Sequence, residues 1–238
     1  MPRAHRYFLP DTVWHITHRC HNREFLLRFE KDRRRWKFWL FQARKRYGLS
    51  VLNYIATSNH IHLLVHSSQD SEVSRGLQLL AGRTAQEYNR RKQRKGAFWE
   101  DRFFATAIGT DEHLTRCLVY IDLNMVRACV VSHPSEWTVS GYNEIHSPPQ
   151  RYRIIDQAAM CRLFDCASWA EFQDSHRQWV QHSLDRGPVQ RDPIWTESVA
   201  VGHQGFVADI KSKLGRRAYH RTDEKIFRDT HVLQDSIS

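Results

Sequence analysis

An α+β fold, an antiparallel sheet with helices on one face, is predicted for this chain by three observations. Apolar residues recur with strand and helix periods in the order strand, helix, strand, strand, helix, strand, and a further helix follows. That order is a split βαβ pair, the ferredoxin-like sandwich. Beyond Ser147-Pro148-Pro149 the strand spacing gives way to short helical segments. The expected organisation is a domain over residues 1–146, with one sheet face left open to a partner, and a mostly helical, basic extension over residues 147–238.

Each element has its own signal. Residues 13–19 alternate in the manner of a strand rich in β-formers. Over 30–47, Trp36, Trp39, Leu40 and Ala43 recur at helical spacing, and Gly48 is placed to cap the end. Residues 49–54 and 55–65 read as a hairpin of two strands. Residues 73–91 read as a helix with Val73, Leu77, Leu80, Thr84 and Tyr88 on one side. Residues 103–108 form a further strand. Over 111–129, Leu114, Leu118, Ile121, Met125 and Ala128 make the apolar stripe of one continuous helix. In the extension, helices are expected over 157–164, 169–184 and 199–214.

The composition narrows the class of partner. With 41% hydrophobic residues the 238-residue chain has material for a core, and its balance of 36 Lys+Arg against 26 Asp+Glu leaves a net charge of +10. Such an excess beside 12% aromatic residues points to a polyanion, most often nucleic acid. Five cysteines without paired CxxC spacing suit a reducing cytoplasm, and structural thiols are the better reading of Cys161 and Cys166 than zinc ligands. Met1 to Arg6 lead into no long apolar segment, so no membrane span is expected.

The chemistry concentrates in two segments. In Ser58-Asn59-His60-Ile61-His62-Leu63-Leu64-Val65 the two imidazoles project together from one strand, which makes half of a divalent metal site. On the last helix of the domain, Tyr120 and Asn124 stand one turn apart beside the apolar stripe. Asn124 can supply an amide oxygen as third ligand, and Tyr120 then lies near whatever the metal polarises. Imidazole and amide ligands with open positions suit Mg²⁺ or Mn²⁺. Each part alone is weak evidence: a lone H-x-H pair in a strand is more often structural or incidental, and a buried tyrosine is usually core material with a hydrogen-bonded tip. The combination in a basic α+β chain favours the functional reading.

At these residues the chain resembles the single-tyrosine HUH transposases, and among them the REP-associated tyrosine transposases of bacteria. The resemblance runs through Trp14-His15-Ile16-Thr17-His18-Arg19, the His60 to Val65 run, Phe98-Trp99-Glu100-Asp101-Arg102-Phe103 and Tyr120-Ile121-Asp122-Leu123-Asn124-Met125-Val126-Arg127-Ala128. It implies a Mg²⁺ or Mn²⁺ site at His60, His62 and Asn124, with Tyr120 as the nucleophile. It also implies attack on single-stranded DNA beside hairpin-forming palindromic repeats, leaving a 5′-phosphotyrosine and a free 3′-hydroxyl. Met125 departs from the proline usual in that family, and Cys129 from the common glycine.

The expected DNA contacts are Arg19, Arg90, Arg91, Lys92, Arg94, Lys95, Trp99 and Arg102, a basic run interleaved with aromatics. Core packing is expected for at least one of Phe98 and Trp99, and His15, His18, His21 and His66 read as structural or surface groups. Lys211, Lys213, Arg216, Arg217 and Arg221 form a second positive cluster in the tail. The expected protein is a monomeric, cytoplasmic, nucleoid-associated nuclease and strand transferase. A non-catalytic protein that only binds structured repeats is the alternative, and an RNA-binding protein ranks last.

Overall fold

The structure, a computed structural model, describes residues 8–68, 71–187, 190–218, 221–227 and 229–235, without the side chains of Arg216 and Arg217. The opening segment Met1 to Arg6 and those two members of the tail cluster therefore lie outside what is described below.

Bulky, alternating apolar residues form β1 (Thr12–Arg19), β2 (Ser50–Ala56), β3 (His60–Ser67) and β4 (Phe104–Ile108). They pair in the order β2-β3-β1-β4, and all three pairings are antiparallel. The two helical periods fold as α1 (Glu30–Tyr47) and α2 (Glu72–Arg91). Trp36 of α1 and Leu77 and Leu80 of α2 meet Ile16 and Ile61 on one sheet face. Gly48 caps α1 at φ 70°, a left-handed conformation that costs glycine little. The ferredoxin-like order is therefore present.

Three differences have identifiable causes. First, residues 55–65 are not one strand. Thr57 Oγ1 accepts from the backbone N–H of His60 (3.1 Å) and Asn59 (3.4 Å), so a hydroxyl-stabilised turn hides inside the apolar run.

Second, the helix expected over 111–129 is α3 (Glu112–Asp122), capped by the Asp111 side chain, then α4 (Asn124–Arg127) after Leu123. The chain leaves α4 at Cys129, with φ 54°. This conformation disfavours a side chain with a Cβ, which explains why glycine suits the position. Cys129→Gly is expected to stabilise the protein by about 1 kcal/mol, read as a higher midpoint in urea denaturation; a lower midpoint would contradict the account.

Third, the sheet face expected to stay open is largely covered. α3 and α5 (Gly141–His146) pack against β2, and the extension adds to that side. The extension carries α6 (Gln157–Leu163), α7 (Trp169–Asp185), α8 (Ile194–Glu197) and α9 (Gln204–Leu214). It also adds β5 (Ala200–Gly202), β6 (Arg221–Phe227) and β7 (Thr230–Asp235), continuing the sheet as β4-β5-β7-β6. β5 replaces the first turn of the helix expected over 199–214. β6 is mostly exposed along its length, so it carries no period-2 apolar signal.

A buried polar set locks the end of α3. Asn53 of β2 donates to Asp122 Oδ1 (3.0 Å), and His176 of α7 bonds Asp122 Oδ2 (2.8 Å) with both side chains fully buried. Gly141 is required here by space, because a Cβ would collide with Asn53 Oδ1. The clamp holds α3 from both sides, two residues beyond Tyr120.

Candidate metal-ligand cluster and nucleic-acid cleft

The register of β1 on β3 places Thr17 opposite His62 and Arg19 opposite His60. Antiparallel partners share a face, so these side chains and His15 rise on the side opposite α1 and α2. Tyr120 descends onto them from α3, with its ring centroid 6.0 Å from that of His62 and 6.1 Å from that of His15. His60, His62, Tyr120 and Asn124 thus line one open cavity of about 730 Å³. Arg19, Arg23, Arg102, Arg127 and Arg191 line its walls, together with Glu100, Asp101 and Glu197.

Two hydrogen-bond chains set the imidazole tautomers. His15 Nδ1 lies 2.8 Å from the Trp195 carbonyl, which only accepts, so the proton sits on Nδ1. His15 Nε2 then accepts from His62 Nδ1–H at 2.8 Å, leaving a lone pair on His62 Nε2. On the other side, Asn59 Nδ2 donates to the Arg23 carbonyl (3.2 Å), which fixes Asn59 Oδ1 as acceptor toward His60 Nδ1 (2.8 Å). His60 Nε2 is thereby also a lone-pair atom. Such outer partners are what orient histidines as ligands.

The three imidazoles are held in the neutral form, which leaves His60 and His62 able to ligate. Burial pulls His15 and His60 down to about 4 and His62 well below its usual range, and the nearby arginines reinforce the shift. In the unfolded chain the same groups take up protons near 6.5. Between about 6.5 and 4 the unfolded state therefore binds more protons than the folded state, and stability rises with pH. The expected result is a melting temperature that falls as metal-free protein is taken from about pH 7 to pH 5. A flat profile would contradict neutral burial of these rings.

The donor set fits a hard or borderline divalent cation: two imidazole nitrogens and a carboxamide, with further positions open to solvent or phosphate. Asn124 Nδ2 meets His62 Nε2 at 2.9 Å, so the carboxamide satisfies the lone pair that a cation would take.

Tyr120 is gripped by Arg127, whose guanidinium lies 3.9 Å from the ring centroid and donates to the Tyr120 carbonyl at 2.7 Å. Burial raises the phenol pKa, and the charges of Arg127 and Arg191 act against that rise. The hydroxyl therefore stays protonated at neutral pH, beside positive charge suited to a phosphate.

The other expected contacts divide. Arg19 and Arg102 line the cavity, while the run Arg90 to Lys95 does not. Within it, Arg91 is paired with Asp32. Arg94 reaches Glu24 (3.5 Å) and the Ala97 carbonyl (2.8 Å). Arg90, Lys92 and Lys95 are exposed. Trp99 is a packing group: His18 stacks on it at 4.1 Å and its indole N–H donates to the Ala81 carbonyl (3.0 Å). Phe98 is buried core. Residues that the spacing did not reveal are His15, Arg23, Arg191 and Trp195. The last two come from the extension, where no local pattern marks them.

Residues 10–124 match the family described as transposase IS200 like. The match contains both histidines, Tyr120 and Asn124. This segment, just under half of the chain, is similar to an IS200-like transposase domain. The match stops short of Arg127, Arg191 and Trp195.

Among solved structures, this chain resembles one described as a REP-associated tyrosine transposase bound to a REP hairpin. Identity there is 16%, covering 66% of this chain and 94% of that one, with a TM-score of 0.49. A putative transposase from Deinococcus radiodurans R1 follows at 15% identity, 43% and 83% coverage, and a TM-score of 0.35. At these values neither neighbour assigns a role to any residue here. No curated protein gave a significant match. Among the described residues, no helix is long and apolar enough to cross a membrane.

Proposed function

We propose that this protein is an IS200-like transposase that cuts and rejoins single-stranded DNA beside hairpin-forming palindromic repeats, with Tyr120 as the nucleophile. The observation that carries the reading is the convergence of His60, His62, Tyr120, Asn124 and five arginines on one cavity. The phenol oxygen attacks the scissile phosphorus and the P–O3′ bond breaks. DNA is left joined through a 5′-phosphotyrosine, and the phenol proton is delivered in net terms to the departing 3′-oxygen. Rejoining is the reverse step, with an incoming 3′-hydroxyl.

His60, His62 and Asn124 would hold a Mg²⁺ or Mn²⁺ ion. When bound, the ion polarises the phosphodiester and neutralises developing charge. Arg127 and Arg191 bring positive charge to the same phosphate from the protein side. Residues 1–146 would supply the chemistry. Residues 147–238 would close the cleft through Arg191 and Trp195, making the extension a working part of the site. We further read the protein as a monomer of the REP-associated subgroup, acting on the bacterial nucleoid in the cytoplasm.

The test is a denaturing gel of the purified protein with labelled hairpin repeats from beside its own gene and Mn²⁺. A slow-migrating, protease-sensitive adduct is expected. Native-gel complexes without an adduct, over several repeats and metals, would instead indicate a protein that binds repeats without cutting them.

A further inference from the structure

The cavity wall continues outward from Arg23 into a segment that breaks the usual rules for apolar residues. Phe25 is 65% exposed and Phe29 53% exposed, among the largest exposures of bulky hydrophobic side chains in the described residues. Their backbone is nevertheless firmly anchored. Leu27 N–H donates to the Ser58 carbonyl (2.9 Å), Cys20 N–H to the Asn59 carbonyl (2.8 Å) and the Asn59 amide to the Arg23 carbonyl (3.2 Å). Buried Arg33, stacked on Trp137 at 4.3 Å, donates to the Leu27 carbonyl (3.0 Å) and the Arg28 carbonyl. Asn22 and Arg23 hold φ values of 51° and 57°, a left-handed pair without glycine. Such strain is retained where the fold needs the geometry, and here it accompanies Arg23 in the cavity lining.

The charge around Phe29 is unbalanced. Lys92, Lys31 and Arg28 sit 5.3, 5.8 and 5.9 Å from the Phe29 ring centroid. The neighbouring carboxylates are engaged elsewhere: Glu24 with Arg94, Glu30 with Arg34 and Asp32 with Arg91. Rigidly presented rings beside cations that no described carboxylate pairs with are the elements of a base-stacking platform.

We propose that Phe25 and Phe29 stack unpaired nucleotides of the DNA strand as it leaves the cavity past Arg23, with Arg28, Lys31 and Lys92 on its phosphates. The inference rests on the cavity being a single-stranded DNA site. It differs from that reading in naming where the strand goes and which rings hold it. An exposed ring set among three cations, with a second exposed ring four residues before it, suits a polyanion with π-faces better than an apolar protein surface. Anchoring through Ser58 and Asn59 ties the platform to the strand that carries His60 and His62.

The test uses the full-length protein and a Phe25→Ala/Phe29→Ala variant. Each is titrated with a hairpin carrying unpaired flanks that contain 2-aminopurine, and with the same hairpin trimmed blunt. Quenching of the 2-aminopurine is expected on binding to the unsubstituted protein. The variant should bind flanked DNA roughly tenfold more weakly and the blunt hairpin as before, the loss of about one base stack. Equal affinity for flanked DNA, or the same loss on the blunt hairpin, would overturn the proposal. So would an effect confined to self-association in sedimentation, which would mark a surface for a second copy. Adduct formation by the unsubstituted protein is followed in parallel. No adduct with a flank-dependent loss removes the Tyr120 mechanism and keeps the platform; an adduct without flank dependence removes the platform alone.

Discussion

Tyr120→Phe is expected to abolish the covalent DNA adduct, a fall of at least about 10⁴-fold, while hairpin affinity stays within a factor of about two. The substitution removes one hydroxyl and leaves the ring against Arg127, His15 and His62, so the cavity wall keeps its shape. DNA binding in this account comes from arginines and exposed aromatics, not from the phenol. A variant that still forms the adduct would show that another residue attacks. A variant that loses hairpin binding to the same degree would show that Tyr120 holds the DNA rather than cutting it.

His15→Leu is expected to weaken Mn²⁺ binding by about 10–100-fold, measured by calorimetry without DNA. His15 does not line the cavity. Its part is to accept from His62 Nδ1–H while its own Nδ1–H donates to the Trp195 carbonyl, which leaves His62 Nε2 as the lone-pair atom. Leucine supplies neither group, so His62 loses its tautomer preference. The variant should also be destabilised by about 1–3 kcal/mol through unpaired buried groups. His15→Gln separates the two effects, because its amide offers an acceptor to His62 and a donor to Trp195. Recovery of Mn²⁺ affinity by glutamine and not by leucine is the expected pattern. Equal Mn²⁺ affinity in both variants and the unsubstituted protein would contradict the relay. Because Trp195 belongs to the extension, the relay also makes residues beyond the matched family segment part of the site.

What could be read from the sequence follows the physics of each signal. The four-stranded order and its two covering helices were legible because bulky apolar residues with periods of 2 and 3.6 mark them. The pairing of His60 with His62 was legible because strand alternation acts locally, and the spacing of Tyr120 and Asn124 because one turn separates them. That the two pairs meet in one cavity is a matter of tertiary packing, and Asn124 reaches it from a separate short helix. The Thr57 turn was concealed, since its signal is one hydroxyl within an apolar run. His15 read as a structural histidine, and its burial agrees with that. Only the tertiary contact with His62 reveals that it also orients a candidate ligand. Arg191 and Trp195 lie in a loop and a four-residue helix, with no periodicity to connect them to strands well over 100 residues earlier. The Arg90 to Lys95 run shows the opposite limit: charge density is visible in a sequence, but the pairing of Arg91 with Asp32 and Arg94 with Glu24, which sets them apart from exposed Arg90, Lys92 and Lys95, is not.

The central claim is that Tyr120 attacks phosphorus and remains joined to the 5′ end of the cut strand. It is tested most directly by trimming the Mn²⁺-dependent adduct with nuclease and sequencing the modified peptide by mass spectrometry. The account predicts a single nucleotide-bearing peptide, modified at Tyr120, with the 3′-hydroxyl on the released fragment. Modification at another residue, or cleavage that yields a free 5′-phosphate and no protein-linked DNA, would contradict it.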